Sequence, residues 1–311
     1  MPTVFDTIAA PFRMQPGLQR LAPGSIQLTP NEVGSSTLCE KLHVLSSHAV
    51  HAFAAAADFD AGPALRVLMT QAAAEHPHRF KCDGVKRFEA VSLGWAVHGA
   101  DVAGDGPAEI GQCLRGLPPA WRLTGLLSLA LEEDLAIIDG ASARIPWIAV
   151  CMPSRWAPEE KVGRHFAEVH APVADNRLLI VAADHLARLV TGDDRWERFV
   201  WTITADARLA QHPRHAAPVA WRPSDDAAAL AAVASFRSER QTFIPIPDMR
   251  QAAFTIRVES RPLTEAIDSP ARARQVHDAL ASMSPAVLQY RGLTDARTRL
   301  LQWLALRAAG P

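Results

Sequence analysis

Apolar positions along the chain repeat in two rhythms. Helical spacing runs through residues 37–58, where Val44 and Phe53 sit among many alanines. It continues over 62–76, where Leu65, Val67, Leu68 and Ala72 to Ala74 combine that spacing with high helix propensity. It returns over 120–137 through Leu123, Leu126, Leu127 and Leu131, and again over 176–190. The tail, 271–311, reads as two helices divided near Ser284-Pro285 and Gly292. Strand rhythm predicts a short element over 89–98 around Val91, Leu93, Trp95 and Val97. The run RIPWIAVCM (144–152) reads as a buried strand, and ERFVWTIT (197–204) as another.

The clearest alternation lies in AAFTIRVES, residues 252–260. Phe254, Ile256 and Val258 face one way, Thr255, Arg257 and Glu259 the other. SFRSERQTFIPIPDM (235–249) reads as a shorter strand ended by Pro245 and Pro247. The short connection predicts an antiparallel pair that gathers Arg237, Glu239, Arg240 and Arg257. Such a group forms either a solvated cross-strand ladder or an anion clamp for a carboxylate or propionate. Ladders of this kind are common, and spacing favours that reading.

The buried strand at 144–152 runs into CMPSRWAPEEKVGRHFAEVHAPV, residues 151–173. Pro158 suits a first helical turn, and Glu159 and Glu160 suit the positive end of the helix dipole. Val162, Phe166 and Val169 share one helical face, with His165 and His170 about 60–80° to either side of Val162. Pro172 ends the predicted helix near His170. A histidine there either caps or packs locally, or ligates a metal or haem. Spacing alone favours the local role, and no HxxxH or CxxC pattern marks a closed zinc site. His48 and His51 are i,i+3 neighbours and offer a ligand pair, but a solvated helix edge is favoured because no third ligand type lies nearby. Glu132, Glu133 and Asp134 read as an exposed helix end. Residues 1–36 form a turn-rich arm whose Phe5, Phe12, Leu18 and Leu21 need burial, and 211–226 is a polar loop.

Composition narrows the function classes. The 311 residues are 49% apolar and 21% charged, which suits a folded soluble protein. A net charge of −1 supplies no field toward nucleic acid or an anionic membrane. No apolar run reaches the ~18 residues of a membrane span, and no secretory signal is evident. Cys39, Cys82, Cys113 and Cys151 are scattered and read as reduced thiols of a cytoplasmic protein. Dinucleotide, P-loop, serine-hydrolase and zinc-protease motifs are all missing.

Several motifs nevertheless group together. Pro153-Ser154-x-Trp156, Glu160-Lys161-x-Gly163, His170-x-Pro172-Val173, Glu239-Arg240-Gln241-Thr242 and Phe254-Thr255-Ile256-Arg257 occur in this order. With weaker matches at Pro11-Phe12, Gly17-Leu18 and Glu133-Asp134-Leu135, the set spans residues 11–263 and resembles the haem-dependent oxidative N-demethylase α-subunit-like family. Val200 before Trp201 and Ala174 after the His-x-Pro-Val motif depart from that family's usual Asn and Pro.

The resemblance implies an α/β (α+β) fold, a PAS-like antiparallel sheet with flanking helices. It implies a haem-binding domain with an N-terminal arm over residues 1–270, followed by a helical tail over 271–311. It also implies haem b as cofactor and monooxygenase-type removal of a methyl group from a small amine such as dimethylamine, giving formaldehyde. Flavin and iron–sulfur reductase subunits would be the partners, and the sequence is open to a homo-oligomer. On that footing His170 becomes the expected axial iron ligand, with His165 as the fallback. Arg240 or Arg257 is expected to pair with a haem propionate or to orient a distal group. Glu239 is expected to hold an amine cation or position Arg240, and Trp156 and Trp201 to wall the pocket or fill core. The rival class is a haem-based gas or redox sensor, or a binding module, without turnover.

Overall fold

The computed structural model describes residues 3–223 and 226–310, so the ends of the arm and tail and the centre of the 211–226 loop (residues 1–2, 311 and 224–225) lie outside the described residues. Among the described residues, the first half of the chain carries short strands and four α-helices. β1 (Gln19–Arg20) is followed by α1 (Ser36–Ala52), which begins where the Ser35 hydroxyl accepts the Leu38 N–H at 3.1 Å. Its buried stripe, Leu38, Lys41, Leu45 and Ala52, has helical spacing but contains a lysine. Then come β2 (Phe53–Ala55), α2 (Gly62–Glu75), β3 (Phe80–Cys82), β4 (Arg87–Ala90), β5 (Trp95–His98) and β6 (Asp101–Gly104). The single strand expected over 89–98 is therefore two pieces, parted by a 3-10 turn and Gly94. Gly94 has φ +68°, and a Cβ there would lie 2.7 Å from the Gly106 Cα, so a side chain has no room to continue the strand. α3 (Ala108–Gly116) and α4 (Arg122–Ala130) complete this half.

The second half carries the long strands. β7 (Asp134–Asp139), β8 (Arg144–Ala149), β9 (Trp196–Thr204), β10 (Ser235–Ile246) and β11 (Gln251–Pro262) are the core of a seven-stranded antiparallel sheet ordered β1-β9-β10-β11-β7-β8-β2. β3 to β6 form a separate four-stranded sheet in chain order. The β10–β11 pair is as the alternation predicts, though β10 matches β11 in length because Pro245 lies within it. The helices are α5 (Phe166–His170), α6 (Arg177–Val181), α7 (Ala183–Val190), α8 (Ala227–Val233), α9 (Leu263–Ala266), α10 (Pro270–Ala281), α11 (Pro285–Tyr290) and α12 (Arg297–Ala309). The tail thus holds three helices rather than two. They share one core with Trp201, Ile203 and Phe236 of the sheet, and Phe5 and Phe12 of the arm pack against the same cluster. All four cysteines are free thiols. Among the described residues no helix is long and apolar enough to cross a membrane.

The helix expected from Pro158 to His170 is broken. Pro158–Glu160 is a 3-10 turn, and Gly163 at φ +75° reverses the chain. The chain then pairs with β8: Gly163 N–H donates to the Ile145 carbonyl at 2.8 Å and Ile145 N–H to the Arg164 carbonyl at 3.2 Å. Only α5 remains helical, and it ends at His170 as Pro172 predicts.

The acidic run also differs from expectation. α4 stops at Ala130, and Glu133 and Asp134 are buried at the start of β7 rather than exposed at a helix end. Lys41, itself fully buried, reaches them. Its ammonium donates to the carbonyls of Leu131 (3.0 Å) and Glu133 (2.6 Å) and pairs with Asp134 at 3.3 Å. Asp134 also accepts the Met152 N–H at 2.7 Å. Burial pushes the Glu133 carboxyl up to about 7, although its bond from Thr29 and the Lys41 charge pull the other way. A carboxyl raised in the fold favours folding below its ordinary 4.5, and that contribution is lost as pH rises toward 7. Glu133→Gln is therefore expected to gain up to about 3 kcal/mol over the wild type between about pH 4.5 and pH 8 in urea unfolding. An equal difference at both pH values would show that the carboxyl titrates as it does unfolded.

Candidate functional site

Residues opposite one another on neighbouring strands share a face. The register therefore lays three rows on the front of the large sheet. Trp196, Phe243, Phe254, Ala136, Ile148 and Ala54 form an apolar row. Arg198, Gln241, Ile256 and Asp134 form the next, and Val200, Glu239 and Val258 the third. Trp156, Val162 and Val169 pack on the same cluster as Ala136, Ile148 and Phe254, so the 151–173 segment lies on this front face. The apolar spacing of Val162 and Val169 thus meets its packing need without a continuous helix.

His170 is held at the end of α5. Its ring lies 4.1 Å from the Phe166 ring, and its Nδ1–H donates to the Phe166 carbonyl at 2.8 Å. A carbonyl only accepts, so in the neutral ring Nδ1 carries the proton and Nε2 the free lone pair. Nε2 has no hydrogen-bond partner among the described residues. Burial pushes the His170 pKa down to about 4, the bond to Phe166 opposes this, and the charges of Arg198 and Lys161 lower it further. His170 is therefore neutral at pH 7.

Arg198 is a cation on this face whose role was not legible in the strand rhythm. Its Nε is buried without a hydrogen-bond partner among the described residues. Burial lowers its pKa and the charge of Glu239 raises it. Glu239 is held in place: its carboxylate accepts from the Ser154 hydroxyl and, at 2.7 Å, from the Gln241 amide. Arg237 Nε donates to the same Ser154 hydroxyl at 3.0 Å, and its other nitrogens bind the carbonyls of Met152, Arg208 and Leu209. The chemistry available here is a free imidazole lone pair, an underused guanidinium and a fixed carboxylate.

The other expected residues lie elsewhere. Arg240 and Arg257 are opposite each other on the back face. Arg240 pairs with Glu197 at 3.0 Å and donates to the Ile26 carbonyl, while Arg257 pairs with Glu132 at 2.5 Å and Glu259 at 3.1 Å. The group of four expected together is thus divided: Arg240 and Arg257 form separate ion pairs on the back face, while Arg237 and Glu239 meet at Ser154 on the front. His165 caps α5: its Nδ1 accepts the Ala167 N–H at 3.2 Å, and its Nε2 lies 2.9 Å from Asp184. Trp201 is core, stacked on Phe236 at 5.8 Å. His48 and His51 do not remain a bare helix edge. The 211–216 loop brings the His215 ring to 3.7 Å from His48 and 4.7 Å from His51. The only sequence sign of this was a second i,i+3 histidine pair, His212 and His215, in a loop otherwise read as polar.

A family profile described as "Haem-dependent oxidative N-demethylase, alpha subunit-like" matches residues 36–301, most of the chain and nearly all of the elements above. Haem dependence, oxidative N-demethylation and the existence of further subunits are the general traits carried by that description. The front face, with its free imidazole lone pair and buried guanidinium, lies inside the matched region, and the chain belongs to the haem-dependent oxidative N-demethylase alpha-subunit-like family.

Proposed function

We propose that this chain is the haem-carrying subunit of an enzyme that oxidatively demethylates a small secondary amine of the dimethylamine type. The observation that carries the reading is the fixed tautomer of His170, which leaves Nε2 as a neutral ligand on the sheet face that also holds Arg198 and Glu239. The residues fit haem b. His170 would supply the axial nitrogen, its other nitrogen held by the Phe166 carbonyl. The orphaned Arg198 Nε–H would meet a propionate, for which a guanidinium is well suited. Trp156 would provide part of the apolar wall. Arg240 and Arg257 keep their back-face ion pairs in this reading.

Haem, when bound, supplies the activation of oxygen and the oxidation of the N-methyl carbon. Glu239, anchored by Ser154 and Gln241, would hold the ammonium form of the amine and turn a methyl group toward the haem. The methyl carbon leaves as formaldehyde with one oxygen atom of O2. The other atom becomes water, and the electron pair comes from flavin and iron–sulfur reductase subunits fed by NADPH. Haem-loaded protein, given such a reductase and dimethylamine, is expected to release formaldehyde equimolar with amine consumed. Glu239→Gln should lower kcat/KM by ~100-fold or more with haem content intact. Stoichiometric haem without formaldehyde from any methylated amine would make the chain a sensor or binding module instead.

A further inference from the structure

We propose that His48, His51 and His215 form a second site, an open three-histidine site for a divalent transition metal of the zinc class. It is independent of the haem reading and shares no residue with it. The ligand nitrogens of these three residues all lie within 4.8 Å of one another. His51 Nδ1 and His215 Nε2 are 2.6 Å apart, so one ring hydrogen-bonds to the other. A tetrahedral ion with metal–nitrogen bonds of about 2.0–2.1 Å needs ligand nitrogens about 3.3 Å apart. The ion would replace the shared hydrogen, and the donating ring would move its proton to its other nitrogen. The His48 ring, stacked on His215 at 3.7 Å, needs side-chain rotation only to add its lone pair. The α1 backbone itself departs from helical geometry at His48 (φ −140°, ψ 25°).

Two neighbouring side chains able to compete as ligands, His212 and Glu40, are otherwise engaged. His212 Nδ1 accepts the Arg214 N–H at 3.2 Å, so its Nε2 carries the proton donated to Glu159 at 3.0 Å. The Glu40 carboxylate accepts the N–H groups of Leu209 and Ala210, at 3.2 and 2.8 Å. Arg208 is clasped by Asp206 at 2.8 Å through two nitrogens. His43 stands 6.0 Å from His48 between ring centroids and is outside the close group, so three imidazoles with clustered nitrogens remain, beside a cavity of about 350 Å³ lined also by Glu40, His43 and Cys151. That cavity gives the fourth coordination position to water or a small anion, the arrangement of an open zinc site. The bound ion would tie α1 to the 211–216 loop. The same loop holds Pro153 through the Gln211 N–H and Glu159 through His212, so the ion braces the start of the segment that carries Trp156 and His170.

The test is zinc titration of tag-free full-length protein, stripped with chelator, against a chromophoric competitor. The cobalt-substituted protein reports the geometry through its visible d–d bands. One equivalent of zinc is expected, with four-coordinate cobalt bands and a Tm that rises with zinc and falls with chelator. His51→Gln and His215→Gln should each weaken binding by at least ~100-fold, more than is usual for loss of an outer partner. His215 is exposed on a loop, so its variant tests the site even if His51→Gln misfolds. His212→Gln should stay within ~10-fold. Absence of stoichiometric zinc binding by the wild type, or unchanged affinity in His215→Gln, would overturn the proposal and leave a hydrogen-bonded histidine stack. None of these readouts needs haem or amine turnover.

Discussion

Replacing His170 with alanine is expected to abolish stoichiometric haem retention. The wild-type chain, expressed with haem, should show a Soret band with one haem per chain. The variant should hold haem at least ~100-fold more weakly, because an axial ligand counts for more than an outer partner. His170 offers a free Nε2 lone pair, and its pKa of about 4 keeps the ring neutral. Ligation at pH 7 then needs no proton to leave. Free imidazole should enter the space left by the side chain and restore a histidine-like Soret band, which a folding defect would not permit. Haem retained with an unchanged spectrum would remove His170 as ligand, and attention would pass to His165, which would have to give up its cap on Ala167 and its contact with Asp184. No haem uptake by the folded wild type would defeat both the enzyme and the sensor readings.

The largest stability effect is expected at Lys41, which lies in none of the family motifs. Lys41→Met should cost about 3–5 kcal/mol in urea unfolding at pH 7, the usual result of removing one partner of a buried ion pair. The methionine approximates the stem but leaves Asp134 charged and buried, and deprives the Glu133 carbonyl of its Lys41 donor, while the Leu131 carbonyl keeps the Asn31 amide. Asp134→Asn in that background should recover about 1–2 kcal/mol, since the amide oxygen can still accept the Met152 N–H without a net charge. A loss below about 1 kcal/mol for the single variant would mean that the carboxylates find other protons, with Glu133 the first candidate.

What the sequence made legible follows from how each element is covered. β10 and β11 were readable because Phe254, Ile256 and Val258 alternate cleanly with Thr255, Arg257 and Glu259, but the same alternation parts Arg237 and Glu239 from Arg240 and Arg257, although the four were expected together. Arg198 escaped notice because β9 mixes apolar and polar residues on both faces, with Trp196 and Val200 beside Arg198 on one and Glu197 beside Phe199 and Trp201 on the other, so no polar side of the strand singled it out. The run from Leu123 to Asp134 read as one helix because an apolar run does not distinguish helix from buried strand. The buried acids behind it depended on Lys41, which is 93 positions before Asp134 (134 − 41) and sits in the apolar stripe of α1. The third histidine of the metal cluster lies 164 positions from His51, and no local pattern reports a meeting of that kind.

The margins of the seven-stranded sheet have a consequence for assembly. β1 and β2 are very short, and irregular chain takes over where they end. Along β8, residues 163–166 supply the hydrogen bonds. Along β9, Arg291 binds the Trp201 carbonyl while the N-terminal arm packs Phe12 against the Trp201 ring. A sheet finished this way is a poor template for strand addition, which protects a folding chain from intermolecular pairing and the fibrillar deposits it seeds. The same finish limits how other subunits attach to this sheet: an interface built by extending it would first have to displace the arm or the 163–166 segment.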